Sequence, residues 1–555
     1  MPESTVLIAV LIVLLPAAVY VLRRIKQRIE LSFAKYPSLT GHVRWAQRMA
    51  RWVPGYAYED GQWFTTDGAP ADIANQRRHA LKELGAGLRN QSPLTLAHTD
   101  ASKPMISDLQ FISSYRVPFQ FREVLQQHLR IGSYWNKSDG VWLMDMDGNR
   151  FIDVTGSYGV NLFGLDFYKS CIDEGAQRVR ELGPALGSYH PCVLDNVTRL
   201  RAISGMDEVS FHMSGTEAVM QAVRLARYHT GRTQLVRFTG AYHGWWDDVQ
   251  PGPGNPLPPA SQTFTLREMH DSTLRVLRNR RDIACVLVNP LQALHPNRPA
   301  PTDSTLVDSA RSAAFHRVAY THWLEALRKV CSERGIVLIF DEVFLGFRLA
   351  RGGAQEYFGV RADLVTYGKT LGGGLPVGVL CGKAYLMRRF GNERPADICF
   401  ARGTFNAHPY VMGAMNEFLQ RLESPQVKAL YENIDALWHA RADQLNQRLD
   451  REDLPVRVAA MSTVWTVLFT KPARYNWLFQ FYLRRHGIAL SWVGSGRLIF
   501  SLNFDEQDYE EFCTRFARAA QQMSAEGWWW APQGQTNKTI RRQVLKEMLR
   551  ARMAA

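Results

Sequence analysis

From about residue 200 to residue 385 the chain alternates short β-favouring runs with amphipathic helical runs, which restricts its fold more than any other feature. Val209–His212 precedes a helical run over Thr216–Thr230. Gln234–Phe238 and Ile283–Asn289 read as strands, and a helix around Ala319–Glu333 leads into Val337–Phe340. This order predicts βαβ units, and so an α/β fold with a mostly parallel sheet covered by helices on both faces. The apolar runs are those of strands buried on both sides. The segments before about 200 and after about 410 are more mixed, and predict a second, smaller α+β lobe built from both ends of the chain. Residues 251–259 (PGPGNPLPP) and 296–301 (PNRPAP) read as surface loops, and the longer stretch 291–318 as a lid or surface insertion.

A content of 46% hydrophobic and 21% charged residues excludes a disordered, collagen-like or disulfide-scaffold chain. The seven cysteines, 171, 192, 285, 331, 381, 399 and 513, are odd in number and form no CxxC, which argues against a disulfide framework or a zinc site. Lys and Arg number 66 against 52 Asp and Glu, a net +14, so an anionic partner is expected. Without a zinc-finger spacing or an RNA-binding motif, nucleic acid is not that partner.

Thr5–Leu22 (TVLIAVLIVLLPAAVYVL) is uncharged and apolar, and is flanked by MPES before and RRIKQR after. The length predicts a transmembrane helix. The absence of positive charge before it argues against a cleaved signal peptide, and the basic flank places the body in the cytoplasm. The expected location is therefore a single-pass membrane protein. The next segment mixes basic residues with Phe33, Tyr36, Trp45, Trp52 and Tyr56. It reads equally as a headgroup-facing segment or as an arm packed on the body. Trp528–Trp530 and the basic tail after them read as a membrane-surface helix or as one packed on a partner subunit.

Five short motifs carry chemistry. Ser214-Gly215-Thr216 follows a strand and opens a helix, the place where backbone N–H groups hold a phosphate. The same three residues also make a plain N-cap. In Gly240-Ala241-Tyr242-His243-Gly244 the aromatic residue could stack on a flat ring, or the segment could be only a turn. Val337–Val343 ends an apolar strand in Asp341-Glu342, at the sheet edge where α/β folds bind ligands. Lys369 stands among small residues in Tyr367–Pro376, as suits an amine that must be closely approached, and no P-loop spacing precedes it. Thr404, in Arg402–Phe405, offers a further hydroxyl.

The ordered set, with Gly156-Ser157-Tyr158-Gly159 after Phe151-Ile152-Asp153 and Gly346-Phe347-Arg348 after the DEV motif, resembles the class III, fold-type I aminotransferases dependent on pyridoxal 5′-phosphate (PLP), in particular the glutamate-1-semialdehyde aminomutase-like subgroup. The resemblance covers about residues 115–525. It implies that Lys369 bonds covalently to the cofactor aldehyde and shuttles the proton, and that Asp341 pairs with the pyridine nitrogen. It also implies Tyr242 and Val343 on the two ring faces with His243 beside them, Ser214, Gly215 and Thr216 at the phosphate, Ser157 and Tyr158 bordering substrate, and Thr404 reaching the phosphate of a neighbouring subunit in a homodimer. Two departures stand out: Asn289-Pro290 where the family often has Glu-Pro, with Gln292 close by, and Gly187–Pro191 in place of an acidic substrate-gating stretch.

The expected organisation is an anchor over 1–24, an arm over 25–114, small-lobe and loop residues over 115–200, a cofactor domain over 201–410, a small domain over 411–527 and a tail over 528–555. The expected reaction moves an amino group from an amino-acid donor to a carbonyl acceptor. An anchored enzyme suggests a hydrophobic acceptor, delivered by a membrane-bound reductase or synthase. The alternatives are an aminomutase, racemase or decarboxylase-like activity, and a tethered scaffold without catalysis.

Overall fold

The computed structural model describes residues 3–37, 41–109, 115–250, 261–291, 313, 315–391, 393–491 and 496–554. Gln292 and most of the expected lid over 291–318 lie outside the described residues.

Seven strands form the central sheet: β1 (Glu208–His212), β2 (Gln234–Phe238), β3 (Thr263–Leu266), β4 (Ile283–Val288), β5 (Val337–Asp341), β6 (Leu364–Gly368) and β7 (Gly378–Gly382). Their order across the sheet is β1-β7-β6-β5-β4-β2-β3. The run from β6 to β3 is parallel, and β7 pairs antiparallel with both β6 and β1. Every residue of β4, β5, β6 and β7 is buried, as the unbroken apolar runs require in a sheet covered on both faces. The helices Gly215–Thr230 and Arg317–Arg334 follow β1 and precede β5.

A four-stranded sheet joins the two ends of the chain. Lys137–Asp139, Trp142–Met144 and Arg150–Asp153 form a meander, and Ile488–Ala489 adds in parallel with Ile488 opposite Ile152. A three-stranded antiparallel sheet, Val456–Met461, Val464–Phe469 and Arg497–Ile499, lies beside it in sequence.

The N-terminus departs from expectation. Among the described residues no helix is long and apolar enough to cross a membrane, which overturns the transmembrane anchor and the membrane location inferred from it. The apolar run belongs to a helix of 32 residues, Glu3–Ala34, that continues through Arg23, Arg24, Lys26 and Arg28. Its C-terminal half is a strut on the body. Arg267 donates its backbone N–H to the Ala34 carbonyl at 2.8 Å and its guanidinium to Phe33, and Asn279 bonds the Glu30 carboxylate. With the anchor goes the argument for a membrane-bound reductase or synthase.

The tryptophan run is likewise interior. Trp528 and Trp529 are buried, and their indole N–H groups donate to Tyr482 Oη at 2.6 Å and Asn476 Oδ1 at 2.9 Å. The tail helix Asn537–Ala554 then folds back and buries Ile540 and Val544. It sets Glu547 against Arg474, a buried guanidinium that meets Glu547 Oε1 at 2.9 Å and also donates to Tyr58 Oη. Tyr58 and Tyr56 donate to Glu547 Oε2 at 2.5 and 3.2 Å. Removing one partner of such a pair strands the other charge in the interior. Glu547→Ala should therefore destabilise the tail by roughly 2–3 kcal/mol, less than a fully buried pair because Glu547 is partly solvated. Limited proteolysis should release the tail after Trp530 faster in this variant, and unchanged cleavage would refute the clasp.

Candidate active site

The C-terminal ends of β5 and β6 carry the two groups around which the site is arranged. Asp341 is the last residue of β5 and lies opposite Thr366 of β6. Its buried carboxylate accepts from His243 Nδ1 at 2.7 Å, from the Val343 backbone N–H at 3.1 Å and from Thr366 Oγ1 at 3.2 Å. His243 is buried too. Burial lowers its pKa, against the pull of Asp341. A neutral imidazole that donates through Nδ1 leaves Nε2 as an acceptor, and Nε2 has no partner. The ring, whose charged form burial disfavours, orients the carboxylate at the sheet edge.

Lys369 follows β6 directly, with φ 50°. Its half-buried amine donates to the Tyr158 carbonyl at 2.6 Å and sits 4.6 Å from the centre of the Phe344 ring. Burial pulls its pKa down to about 8, Asp341 opposes the shift, and the Arg348 guanidinium adds to it.

Tyr158 comes from a left-handed turn. Gly156, Ser157, Tyr158 and Gly159 all have positive φ, 52°, 43°, 57° and 101°. Two of these residues are not glycine, so the turn stores strain of order 1–3 kcal/mol per residue. Arg348 braces it. This buried guanidinium donates to the Asn161 and Gly159 carbonyls at 3.0 and 3.5 Å, and to Thr463 Oγ1 and the Phe500 carbonyl at 2.9 Å. Burial lowers its pKa to about 10.

On the other side, Ser214 caps the helix Gly215–Thr230. Its hydroxyl accepts from Glu217 N–H at 3.3 Å while the Glu217 carboxylate accepts from Met213 N–H at 3.0 Å. The backbone N–H groups of the first turn remain directed outward. A side chain at Gly215 would meet Val343 Cγ1 at 2.6 Å, so Val343 and the helix start touch. Gly244 has φ 97° and lies against the Thr216 hydroxyl. Arg237 brackets the intervening loop by donating to the carbonyls of Ala241 and Val249. Tyr242 presents an exposed ring beside His243, and the Asn289 amide reaches the Tyr242 carbonyl at 3.4 Å.

Lys369, Asp341, His243, Tyr158 and Val343 thus converge on one edge, with Ser214, Gly215, Thr216 and Tyr242 bordering them. Thr404 lies on an exposed segment, with Phe405 half-exposed beside it. Phe344 and Arg237 were missed from sequence. Phe344 follows the DEV motif without a signal of its own, whereas a lone Arg inside the strand QLVRF is a sign of a buried, carbonyl-bound guanidinium. The set fits PLP: an amine close to neutrality for the aldehyde, a buried carboxylate for the pyridinium, an open helix start for the phosphate and an unpartnered His243 Nε2 beside them.

Two outcomes follow. Gly244→Ala places a β-carbon in a left-handed position against Thr216, and should weaken PLP retention at least about tenfold by equilibrium dialysis. The amine of Lys369 is nucleophilic only when neutral, and it is neutral above its own pKa. Recombination of the apoprotein with PLP should therefore accelerate as pH rises through about 8. A midpoint near 10.5, the ordinary lysine value, would contradict the assigned environment.

The sequence model described as aminotransferase class-III matches residues 126–520. The glutamate-1-semialdehyde 2,1-aminomutase of Citrifermentans bemidjiense is 33% identical over 364 residues, 61% of this chain and 77% of that protein. A solved transaminase with PLP bound superposes with a TM-score of 0.62 at 26% identity, covering 78% of this chain and 98% of that one. A glutamate-1-semialdehyde aminomutase from Pseudomonas aeruginosa PAO1, 17% identical, has a TM-score of 0.65 over 81% of this chain and 99% of its own, and shows the fold alone. The fold is that of the fold-type I PLP transferases and the cofactor is pyridoxal 5′-phosphate. The chain belongs to the class-III aminotransferase family, as a PLP enzyme of the transaminase or aminomutase kind.

Proposed function

We propose that the chain is an aminotransferase that passes an amino group from an amino-acid donor to an apolar aldehyde or ketone. The observation that carries this reading is the wall around the Lys369 amine. The Phe344 ring lies 4.6 Å away, the Tyr158 carbonyl accepts from the amine, and the Tyr158 and Tyr242 rings are both exposed. The Arg348 guanidinium, whose charge acts on the amine, is already occupied by carbonyl and hydroxyl acceptors. An apolar chain packed on this wall gains about 0.8 kcal/mol per buried CH₂.

Bound PLP supplies the electron sink for the bond broken at the substrate Cα. Lys369 Nζ holds the cofactor between turnovers and carries the Cα proton, work suited to an amine with a pKa near 8. Asp341 keeps the ring nitrogen protonated, with His243 and Thr366 fixing the carboxylate. Val343 and Tyr242 would hold the ring between them. Ser214, Gly215 and Thr216 border the phosphate, and Ser157 with Tyr158 borders the substrate. Thr404 reaches the phosphate site of a second subunit in a homodimer.

A second reading, an aminomutase of the glutamate-1-semialdehyde type, is favoured by the names of the curated relatives. Single-turnover assays separate the two, because only an aminotransferase releases a keto acid from the donor. Lys369→Ala should lower turnover by about 10²–10⁴-fold or more. Across a series of straight-chain aldehydes kcat/KM should rise up to about fourfold per CH₂ until the pocket is filled. A flat series would remove the apolar acceptor, and movement of nitrogen without keto acid would establish the aminomutase.

A further inference from the structure

A second cavity lies at the far edge of the central sheet, three strands away from β5, and shares no residue with the Lys369 site. It has a volume of about 390 Å³, within the range of small-ligand pockets. One wall is the edge strand β3; the other is the arm that follows the first helix. The arm contributes the cations Lys35 and Arg44 and the imidazole of His42 to the lining.

Among the described residues none of these three forms an ion pair. Asp248, the acid of the lining, is already paired with Arg227 at 2.7 Å. Burial lowers the pKa of Lys35 and the charge of Arg44 lowers it further; burial and then Lys35 do the same to His42. Lys35 and Arg44 are therefore two like charges on one lining, with no ion-pair partner among the described residues. Two polar atoms beside them are also unsatisfied. Thr263 Oγ1, in the lining, is buried without a hydrogen-bond partner, and so is Nε of Arg267, just beyond the end of β3. Unsatisfied buried polar groups are rare enough in native proteins to require an explanation. Leu31, Trp45 and Phe264 supply apolar surface around this basic corner.

We propose that this cavity binds a phosphoryl group carried on a small apolar body. The Lys35 ammonium and Arg44 guanidinium offer charge-assisted donors to phosphate oxygens, the His42 imidazole and Thr263 hydroxyl offer neutral ones, and the bound anion relieves the repulsion between the two cations. The apolar wall takes whatever the phosphate is esterified to.

The test uses the PLP-loaded enzyme, so that the phosphate site beside Lys369 is filled. Titration calorimetry with inorganic phosphate, and with dihexanoylphosphatidic acid below its micelle concentration, should each give one saturable site per chain. Lys35→Met and Arg44→Met should weaken binding at least tenfold and Thr263→Val about threefold, with turnover and the melting temperature of the unliganded enzyme unchanged. Tighter binding of the phosphatidic acid assigns the apolar wall to the ligand, and equal affinity assigns the site to a free phosphoryl group. Absence of saturable heat with both, or unaltered affinity in the Lys35 and Arg44 variants, overturns the proposal. Mass-spectrometric mapping of acetylation provides a readout that needs no variant: phosphate should protect Lys35 in the unmodified sequence, and an unprotected Lys35 would overturn the proposal as well.

Discussion

A carboxylate buried at the end of one strand and an amine just beyond the end of the next form the constraint on which the rest of the molecule depends. Asp341 and Lys369 leave β5 and β6 at the same edge, and neither could be kept there alone. Ionised carboxylates are costly to bury without donors, and Asp341 has three, from His243, Val343 and Thr366. The amine is held the opposite way. Burial brings its pKa down to about 8, with Arg348 adding to the shift and Asp341 opposing it. The parallel pairing of β5 with β6 provides this juxtaposition, because both strands then deliver their C-terminal residues to one edge.

The parts that hold the pair in place come from distant stretches of the chain. The turn Gly156–Gly159 is left-handed at four successive residues and would not persist without support. Arg348 supplies it, through carbonyls of the segment that follows the turn and through Thr463 and Phe500 of the C-terminal region. One guanidinium thus couples the left-handed turn, the segment that follows β5 and the C-terminal region. Arg237 acts in the same way on the loop of Tyr242 and His243, gripping a carbonyl at either end of it.

The terminal segments show how far hydrophobicity alone can mislead. An apolar run of 18 residues in the sequence satisfies a length criterion for crossing a bilayer. In the fold it belongs to a longer helix whose latter half is tied to Arg267 and Asn279. Three successive tryptophans beside a basic tail have the composition of a membrane-surface element. Here Trp528 and Trp529 lie in the core, with their N–H groups paired to Tyr482 and Asn476. Composition cannot distinguish lipid from protein interior, because both solvate apolar surface and both demand partners for polar atoms.

The amino-acid sequence alone determined the alternating strands and helices, the edge at which Asp341 and Lys369 emerge, and the helix start at Ser214–Thr216. Each of these depends on local pattern: unbroken apolar runs for buried strands, a small-residue cap for the helix start, an acid at the end of a strand. Tertiary structure decided what those residues meet. The pairing of His243 with Asp341, the Phe344 ring beside the amine, the carbonyl-bound Arg348 and Arg237, the clasp of Glu547 on Arg474 and the corner formed by Lys35, His42 and Arg44 all join residues far apart in the chain or turned together only by packing. A pKa, a strained turn or a buried charge is set by the groups around it in space, and no periodicity along the chain encodes those neighbours.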